Sequence, residues 1–505
     1  MRCKLRSFVM LVYLCSFTAT GLQAQGKRIL RADSIRISYR VGDVFRERSW
    51  TITPEAKPDQ LDVKITDKPV RVEFISGIDS IGFTVRAGDI HDFYVVADGS
   101  KDTAFTRIKG YQYYPPAKFT DAHKKKFKGK TTVEIPEVYE LINIVYAITP
   151  AAANNADYAY RGSGYYREVK DWFSKYAAEE AVVNINKALN DDQYFILKMD
   201  AYAFDWIRGK LVQSKVYDRA AWRDTNTLRP YVKALQAFAD KSKFADFYKQ
   251  HQSFYNSQIN CYKDSINTTA MVGWLRKNFP GTDYDVFRII FSPLVSGNQS
   301  ANWMEDNGFK EMHAHVNFPY AYPAKDVTPD GALFRRGAIV FTEINHSFIN
   351  PEIEKYLSAD DFKKAFADLS IWLDLNKPAK NYNDAYSCFN EYMNWALVSV
   401  YATDAAPPSD TAAIIGAIGK NMKEYRGFKK FPEFNMFITE LYRKRPQGAT
   451  VASLYPAIIK WFAENKNRYE EAKADALNLV SQIIPELSKV DPLISSETDP
   501  KKSLM

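Results

Sequence analysis

One segment of the chain, from Phe341 to Pro351, reads F-T-E-I-N-H-S-F-I-N-P. Its apolar residues Phe341, Ile344 and Phe348 recur at spacings of three and four, which is the period of one face of an α-helix. Pro351 is expected to end the helix, because proline lacks the backbone donor that a helix interior needs. The segment therefore predicts a helix that buries one face in the C-terminal part of the chain.

The polar residues of this segment are spaced like the zinc-binding motif H-E-x-x-H of metallopeptidases. In that motif two histidines one helical turn apart bind zinc, and the glutamate beside the first histidine activates a water molecule. Here Thr342 stands at the first histidine position, whereas Glu343 and His346 occupy the other two. A hydroxyl is a poor zinc ligand, and catalytic zinc normally has three protein ligands. We therefore expect zinc to bind weakly or not at all.

A third zinc ligand would have to come from a later helix. Glu391 lies 45 residues after His346 in a segment that is apolar on most sides, so its carboxylate is expected to be buried beside a metal or another cation. The alternative is a glutamate on the helix surface that pairs with a lysine or arginine. A substitute for the missing histidine could come from His313 or His315, which would face the same way on a strand. Such a pair is more often formed by ordinary polar or core histidines.

The segment around His346 resembles a family of uncharacterised secreted proteins of Gram-negative bacteria, known only as a domain of unknown function. These proteins are similar to zinc metallopeptidases that have a glutamate ligand. Their usual pattern, H-E-[FL]-S-H-S-F-[VI]-N-P, matches the chain from Thr342 to Pro351 except at the first histidine and at small changes such as Asn345. Other stretches that resemble the family are T-V-E-I-P-E-V-Y-E-L from Thr132, I-F-S-P-L from Ile290 and D-T-A-F-T-R-I from Asp102.

The resemblance covers most of the chain beyond its N-terminus and implies roles for three residues. Glu343 would be the general base, and His346 and Glu391 would be zinc ligands. It also implies a metallopeptidase-like domain, but it names no substrate.

The order of patterns along the chain predicts an α+β fold, in which a β-sandwich or barrel-like domain precedes a mainly helical domain; the family resemblance implies that this second domain is metallopeptidase-like. Apolar and polar residues alternate between about 30 and 115, as in half-buried strands, and helical spacing prevails from about 136. Five lysines between Lys124 and Lys130 predict a basic linker. We thus expect a β-rich domain at 25–123, a linker at 124–131, a helical domain at 132–494 and a flexible tail at 495–505.

The N-terminus has the three parts of a secretory signal peptide. They are basic residues from Arg2 to Arg6, an apolar run from Phe8 to Phe17 and a small residue, Ala24. Such a signal would direct the protein to the periplasm or the extracellular space, and cleavage after Ala24 would remove residues 1–24. No later stretch of the sequence is long and apolar enough to predict a transmembrane helix.

The net charge and the aromatic content of the chain limit the kinds of molecule that it is expected to bind. The formal charge is +8, and three of these positive charges belong to the signal peptide, so no nucleic-acid partner is expected. Aromatic residues make up 14% of the chain, which indicates large buried cores or a surface that binds sugars or peptides. Cys261 and Cys388, the two cysteines beyond the signal peptide, could form a disulfide or remain isolated thiols.

Three functions are compatible with these observations. The first is an inactive or weak peptidase homologue that kept its cleft and binds a peptide or a protein partner. The second is an active zinc-dependent hydrolase in which another side chain replaces the missing histidine. The third is a cell-envelope protein whose aromatic surface binds glycans or peptides. The damaged zinc motif favours the first.

Overall fold

The computed structural model describes residues 28–34, 36–49, 59–99, 103–297, 299–322 and 324–466. The expected signal peptide at 1–24 and the expected tail at 495–505 lie outside these residues. The chain divides into two compact units, Met1–Tyr114 and Pro115–Met505. The described part of the first unit is built from strands and that of the second mainly from helices, so the expected α+β class is confirmed.

The described strands of the first unit form two four-stranded sheets, in the orders β1-β7-β8-β4 and β3-β2-β5-β6. Alternate side chains of both sheets share one apolar core, which contains Val63 and Ile108 from the first sheet and Val72 and Phe83 from the second. This arrangement is a β-sandwich. Its strands are β1 Ile29–Ala32, β2 Arg36–Val41, β3 Val44–Ser49, β4 Asp59–Ile65, β5 Val70–Ile75, β6 Ser80–Val85, β7 Ile90–Ala97 and β8 Thr103–Gln112.

The second unit combines helices with a mixed sheet and a small hairpin. Its strands are β9 Lys130–Glu134, β10 Phe204–Ile207, β11 Lys210–Gln213, β12 Val286–Ser292, β13 Ser300–Asp306 and β14 Phe309–Asn317. Its α-helices are α1 Asp121–Phe127, α2 Glu137–Ala147, α3 Pro150–Asn154, α4 Gly164–Phe173, α5 Glu180–Asn190, α6 Tyr194–Ala201, α7 Val232–Ser242, α8 Phe244–Gln250, α9 Gln252–Asn260, α10 Thr268–Asn278, α11 Pro329–Glu354, α12 Asp360–Ala365, α13 Ala385–Ala405, α14 Thr411–Lys420, α15 Phe431–Arg443 and α16 Tyr455–Asn465.

The expected boundary and linker are corrected by the structure. The two units divide between Tyr114 and Pro115, and the lysine cluster lies inside the second unit. Lys124, Lys125 and Lys126 form the last turn of α1, where positive charge is favourable at the negative end of the helix. Strand β9 then pairs in parallel with β12. A run of lysines therefore marked a helix end and a strand rather than a linker.

The mixed sheet has the strand order β13-β14-β12-β9, with β13 antiparallel to β14 and the other pairs parallel. Successive side chains of a strand point to opposite faces. One face contributes Phe287 and Met312 to the main core, where the ring of Phe287 stacks on Phe348 of α11 at 5.9 Å. This contact sets α11 against the sheet.

The opposite face of the sheet holds a buried charge network around Glu311, which has no exposed surface. Its carboxylate accepts hydrogen bonds from Arg288 on β12 at 2.9 Å and from the hydroxyl of Tyr217 at 2.6 Å, and it lies 2.6 Å from the ring of His123 on α1. Although burial alone would raise the pKa of Glu311, the hydrogen bonds from His123, His313 and Arg288 hold it well below its usual range. The network ties α1, β12 and β14 together.

The aromatic richness of the chain serves mainly the cores. The largest fully buried side chains include Trp372 and eight tyrosines, among them Tyr139 and Tyr392. Among the described residues, the exposed aromatic side chains are Tyr114, Trp222, Trp303, Tyr322 and Tyr425.

Cys261 and Cys388 are both free thiols, so of the two expectations the one of isolated thiols holds.

Helix α11 begins at an N-cap residue that is itself hydrogen-bonded to Asp410, and it continues past the proline that was expected to end it. Thr328 caps the helix by accepting from the backbone N–H of Gly331, and the buried Asp410 accepts in turn from the backbone N–H of Thr328 at 3.2 Å. Pro351 lies inside the helix, which continues to Glu354. The expected end is therefore corrected by one turn.

Replacing Glu311 by glutamine should lower the free energy of unfolding by about 3–5 kcal/mol, because Arg288 would lose its buried counter-charge. Glu305 is the matched control, since it pairs with Lys310 at 3.5 Å on exposed side chains of the same β-hairpin. Glu305→Gln should cost less than about 1 kcal/mol. Denaturant titration at pH 7 measures both values, and equal losses would contradict the role of the network.

Replacing Gly331 by alanine should destabilise the protein, although alanine is the better helix former. A methyl group there would overlap the Asp410 carboxylate that pins the start of α11, and the expected loss is about 1–3 kcal/mol. In the control Gly416→Ala, no atom lies within 4 Å of the added methyl group. This change in α14 should stabilise by up to about 1 kcal/mol. Thermal unfolding that moved both variants in the same direction would refute the explanation.

Candidate functional site

Helices α11 and α13 bring the residues of the predicted zinc motif together. The side-chain amide of Asn345 on α11 donates to the backbone carbonyl of Asn394 on α13 at 3.0 Å. The rings of Phe341 and Tyr401 stack between the same two helices at 4.6 Å. As expected, one helix contains residues 341–349 and another carries Glu391.

Thr342, at the position of the missing histidine, directs its hydroxyl at its own helix. The side chain is buried, and Oγ1 donates to the backbone carbonyl of Ile339 at 2.7 Å. Threonine often makes this local bond in helices. The hydroxyl is thus engaged by its own helix rather than offered to the space between the helices.

Glu343, the candidate general base, keeps part of its surface accessible. Burial and then the negative charge of Glu391 raise the pKa of Glu343 to about 8, although Lys198 and Arg426 act in the opposite direction. At pH 7 the carboxyl group is therefore mostly protonated. A protonated carboxyl group can donate a hydrogen bond, but it cannot accept a proton from water.

His346, a candidate zinc ligand, is hydrogen-bonded to α13. Its Nε2 lies 2.8 Å from the side-chain amide nitrogen of Asn394. Burial lowers the pKa of His346, so the ring is neutral at pH 7 and Nε2 accepts the amide hydrogen. The lone pair that a metal would use is thus already engaged.

Glu391, the other candidate ligand, is buried beside a cation, as expected, and that cation is an arginine. Its Oε1 lies 2.6 Å from Nη1 of Arg426 and accepts a hydrogen bond from Nε1 of Trp395 at 3.0 Å. The alternative of a surface glutamate paired with a lysine or arginine is wrong about the exposure of Glu391 and right about its partner. Because both groups of the ion pair are largely removed from water, removing either one would leave a buried charge without its partner.

Arg426 itself lies in a cage of three aromatic rings, Tyr382, Trp395 and Phe428. The guanidinium carbon is 5.4–5.5 Å from the centre of each ring. One nitrogen also donates to the hydroxyl of Tyr382 at 2.9 Å. Arg426 is the last residue of a π-helical turn, Asn421–Arg426. Such turns are rare in proteins, and those that occur are often found at functional sites. We call these three rings the arginine cage.

Lys198 of α6 is a further charged residue near Glu343. It has no exposed surface, and its amine lies 4.6 Å from the ring centre of Tyr194. Burial lowers the pKa of Lys198 to about 7, whereas the charge of Glu343 acts to raise it. The amine is therefore close to half protonated at neutral pH, and it adds positive charge near the candidate base.

The two histidines considered as substitute ligands lie on β14 and are fully buried. His313 lies 3.2 Å from Glu311, and the ring of His315 stacks on Tyr139 at 5.6 Å. Since both have the same strand parity as Glu311, they face away from the sheet surface that α11 covers. The structure therefore does not bring them to the α11 side of the sheet.

The arrangement of donors does not fit a zinc ion. Thr342 is bonded to its own backbone, His346 to Asn394 and Glu391 to Arg426 and Trp395. Among the residues that the structure describes, no three His, Cys, Asp or Glu side chains are placed to hold a metal ion together. What the site can do instead is hold charges and hydrogen bonds in a fixed arrangement between two helices.

The sequence reasoning missed four residues of this site. Asn394 and Trp395 follow Glu391 by three and four positions, so helical spacing could have placed them on the same face. Arg426 and Lys198 lie far away in the sequence, and no local pattern connects them with Glu391 or Glu343. Only the fold brings them together.

Comparisons with known proteins give one family for most of the second unit. A family described as a domain of unknown function (DUF4932) matches residues 132–461, and one described as a conserved hypothetical protein (DUF2461) matches residues 460–505. No curated protein and no solved structure matches the chain. The first match spans more than half of the sequence and includes α11, α13 and Arg426. The chain therefore belongs to the family of the domain of unknown function DUF4932.

Proposed function

We propose that this is an exported, metallopeptidase-like protein with a degenerate zinc motif, which binds a peptide or a protein partner and hydrolyses it weakly or not at all. The observation that carries the proposal is the ion pair between Glu391 and Arg426. It engages the carboxylate that the motif would offer to zinc, and it does so inside a cage of aromatic side chains.

Two further observations argue against efficient hydrolysis at this site. Thr342 supplies no imidazole, and its hydroxyl is bonded to the carbonyl of Ile339. Glu343, with a pKa of about 8, is mostly protonated at neutral pH and is a poor base for activating water. Both conditions differ from those of a working metallopeptidase, which needs an activated water and a carboxylate to accept its proton.

Binding is supported by the polar residues between α11 and α13 that keep accessible surface, Glu343 and His346. In the described part of the chain, the amide oxygens of Asn345 and Asn394 are buried and accept no hydrogen bond. Glu343 and His346 beside them keep accessible surface. The two amide oxygens have almost no accessible surface and lie out of reach of a ligand, but the protonated carboxyl group of Glu343 can donate a hydrogen bond to a backbone carbonyl of a peptide. A peptide or an exposed protein segment is therefore the ligand that suits this surface.

Export is part of the proposal and rests on the N-terminal sequence at 1–24. Among the residues that the structure describes, no helix is long and apolar enough to cross a membrane. The proposed location is the periplasm or the extracellular space, where peptides from the cell envelope or the surroundings are available.

The first test concerns zinc and hydrolysis. Protein purified without chelator should contain well below one zinc ion per chain by elemental analysis, because its candidate donors are engaged by other groups. It should cleave a quenched fluorescent peptide library no faster than the matched variant Glu343→Gln. One zinc ion per chain together with cleavage that depends on Glu343 would instead support an active hydrolase with a substitute ligand, and His315 would be the first residue to replace.

The second test concerns binding, measured by fluorescence polarisation with a labelled mixture of random decapeptides. The protein should bind part of the mixture, and His346→Trp should weaken this binding at least about tenfold, because the indole would fill space beside Glu343. The control Met436→Trp places the same group on an exposed position of α15 and should leave binding unchanged. Equal binding by both variants would place the peptide elsewhere, and no binding by the parent protein would refute the proposal.

A further inference from the structure

We infer that Arg426 is the built-in cation of this site: its guanidinium group takes the place of a divalent metal, and Glu391 with the arginine cage is a binding site for a guanidinium ion. The inference rests on the proposed function in one respect, which is that Glu391 corresponds to the glutamate ligand of a zinc site. It adds that two residues exclude a metal ion from the site: Thr342, which offers no imidazole, and Arg426, which occupies the carboxylate of Glu391.

The first argument is spatial. Nη1 of Arg426 lies 2.6 Å from Oε1 of Glu391, on the oxygen that also accepts from Trp395. A zinc ion would need to lie about 2 Å from a carboxylate oxygen of this residue. There is no room for both cations at Oε1, so a metal could bind this oxygen only after the guanidinium group had moved.

The second argument is electrostatic. Glu391 carries one negative charge, and Arg426 already neutralises it within a buried environment. A dication would add two more positive charges beside a guanidinium group that stays protonated in proteins. The present charges therefore disfavour metal even if the missing imidazole were restored.

The third argument is that the surroundings of Arg426 suit a guanidinium ion. Three ring centres lie 5.4–5.5 Å from its central carbon, and planar guanidinium groups stack on aromatic faces more readily than ammonium groups do. The hydroxyl of Tyr382 accepts from one nitrogen and Oε1 of Glu391 from another. Three nearby rings, a carboxylate and a hydroxyl together form a site that would also accept a small guanidinium compound if the side chain were removed.

The metal arm of the test compares four proteins, which are the parent, Thr342→His, Arg426→Met and the double variant Thr342→His/Arg426→Met. Methionine fills the cage without charge. After incubation with zinc and gel filtration, the first three should hold about 0.1 zinc per chain or less, and the double variant should approach one. One zinc ion per chain in Thr342→His alone would overturn the inference. Absence of zinc from the double variant would overturn it as well.

The second arm needs no metal and uses Arg426→Ala with ethylguanidinium, which matches the two methylene groups and the guanidinium group that the substitution removes. The variant should unfold about 5 °C or more below the parent, because a buried carboxylate has lost its partner. Millimolar ethylguanidinium should reverse most of this shift in a saturable manner, and neutral ethylurea should not. The control is Arg445→Ala, whose guanidinium group lies 3.4 Å above the ring of Tyr442. Absence of rescue, or equal rescue of the control, would overturn the inference.

A third variant guards against poor folding of the alanine protein. Glu391→Gln added to Arg426→Met removes the unpaired carboxylate, so the double variant should unfold at a higher temperature than Arg426→Met alone. A lower temperature would overturn the inference. The outcomes also separate the two proposals: stoichiometric zinc in the parent protein refutes the proposed function, whereas zinc in Thr342→His but not in the parent refutes only the role of Arg426.

Discussion

The second unit depends on the burial of one carboxylate, Glu311, within its mixed sheet. A charged group without exposed surface is unstable unless cations and donors surround it. Arg288, His123 and Tyr217 meet this demand from three separate parts of the sequence. Their convergence fixes β14 against β12 and α1, and the opposite face of these strands supports α11. The position of the candidate site is thus set by a charge on the other side of the sheet.

The same solution occurs a second time at the site itself. Glu391, like Glu311, is a buried carboxylate on a regular element, and its arginine comes from a distant segment. In both cases aromatic rings support the guanidinium group: Phe127 lies 4.1 Å from that of Arg288, and three rings surround that of Arg426. Aromatic residues are abundant in this chain partly because they line two of the places where charge is kept away from water.

The sequence was sufficient for what is local and periodic. The spacing of Phe341, Ile344 and Phe348 predicted a helix and its buried face, and alternating residues predicted the strands of the sandwich. The apolar surroundings of Glu391 predicted a buried carboxylate that needs a cation. The nature of that cation depends on how α13 meets the segment after α14, which no short-range pattern encodes. The lysine run was misassigned for a similar reason, because its helix is held by contacts with a strand almost two hundred residues later.

The π-helical turn Asn421–Arg426 has a consequence for how such a site can change over generations. A turn of this kind holds one residue more than an α-helical turn, and each residue advances the chain by about 100° around the helix axis. Deleting a single codon between Lys420 and Arg426 would restore the regular ladder and rotate the guanidinium group away from Glu391. One small deletion could therefore remove the positive charge from the site, without any substitution at the residues that surround it.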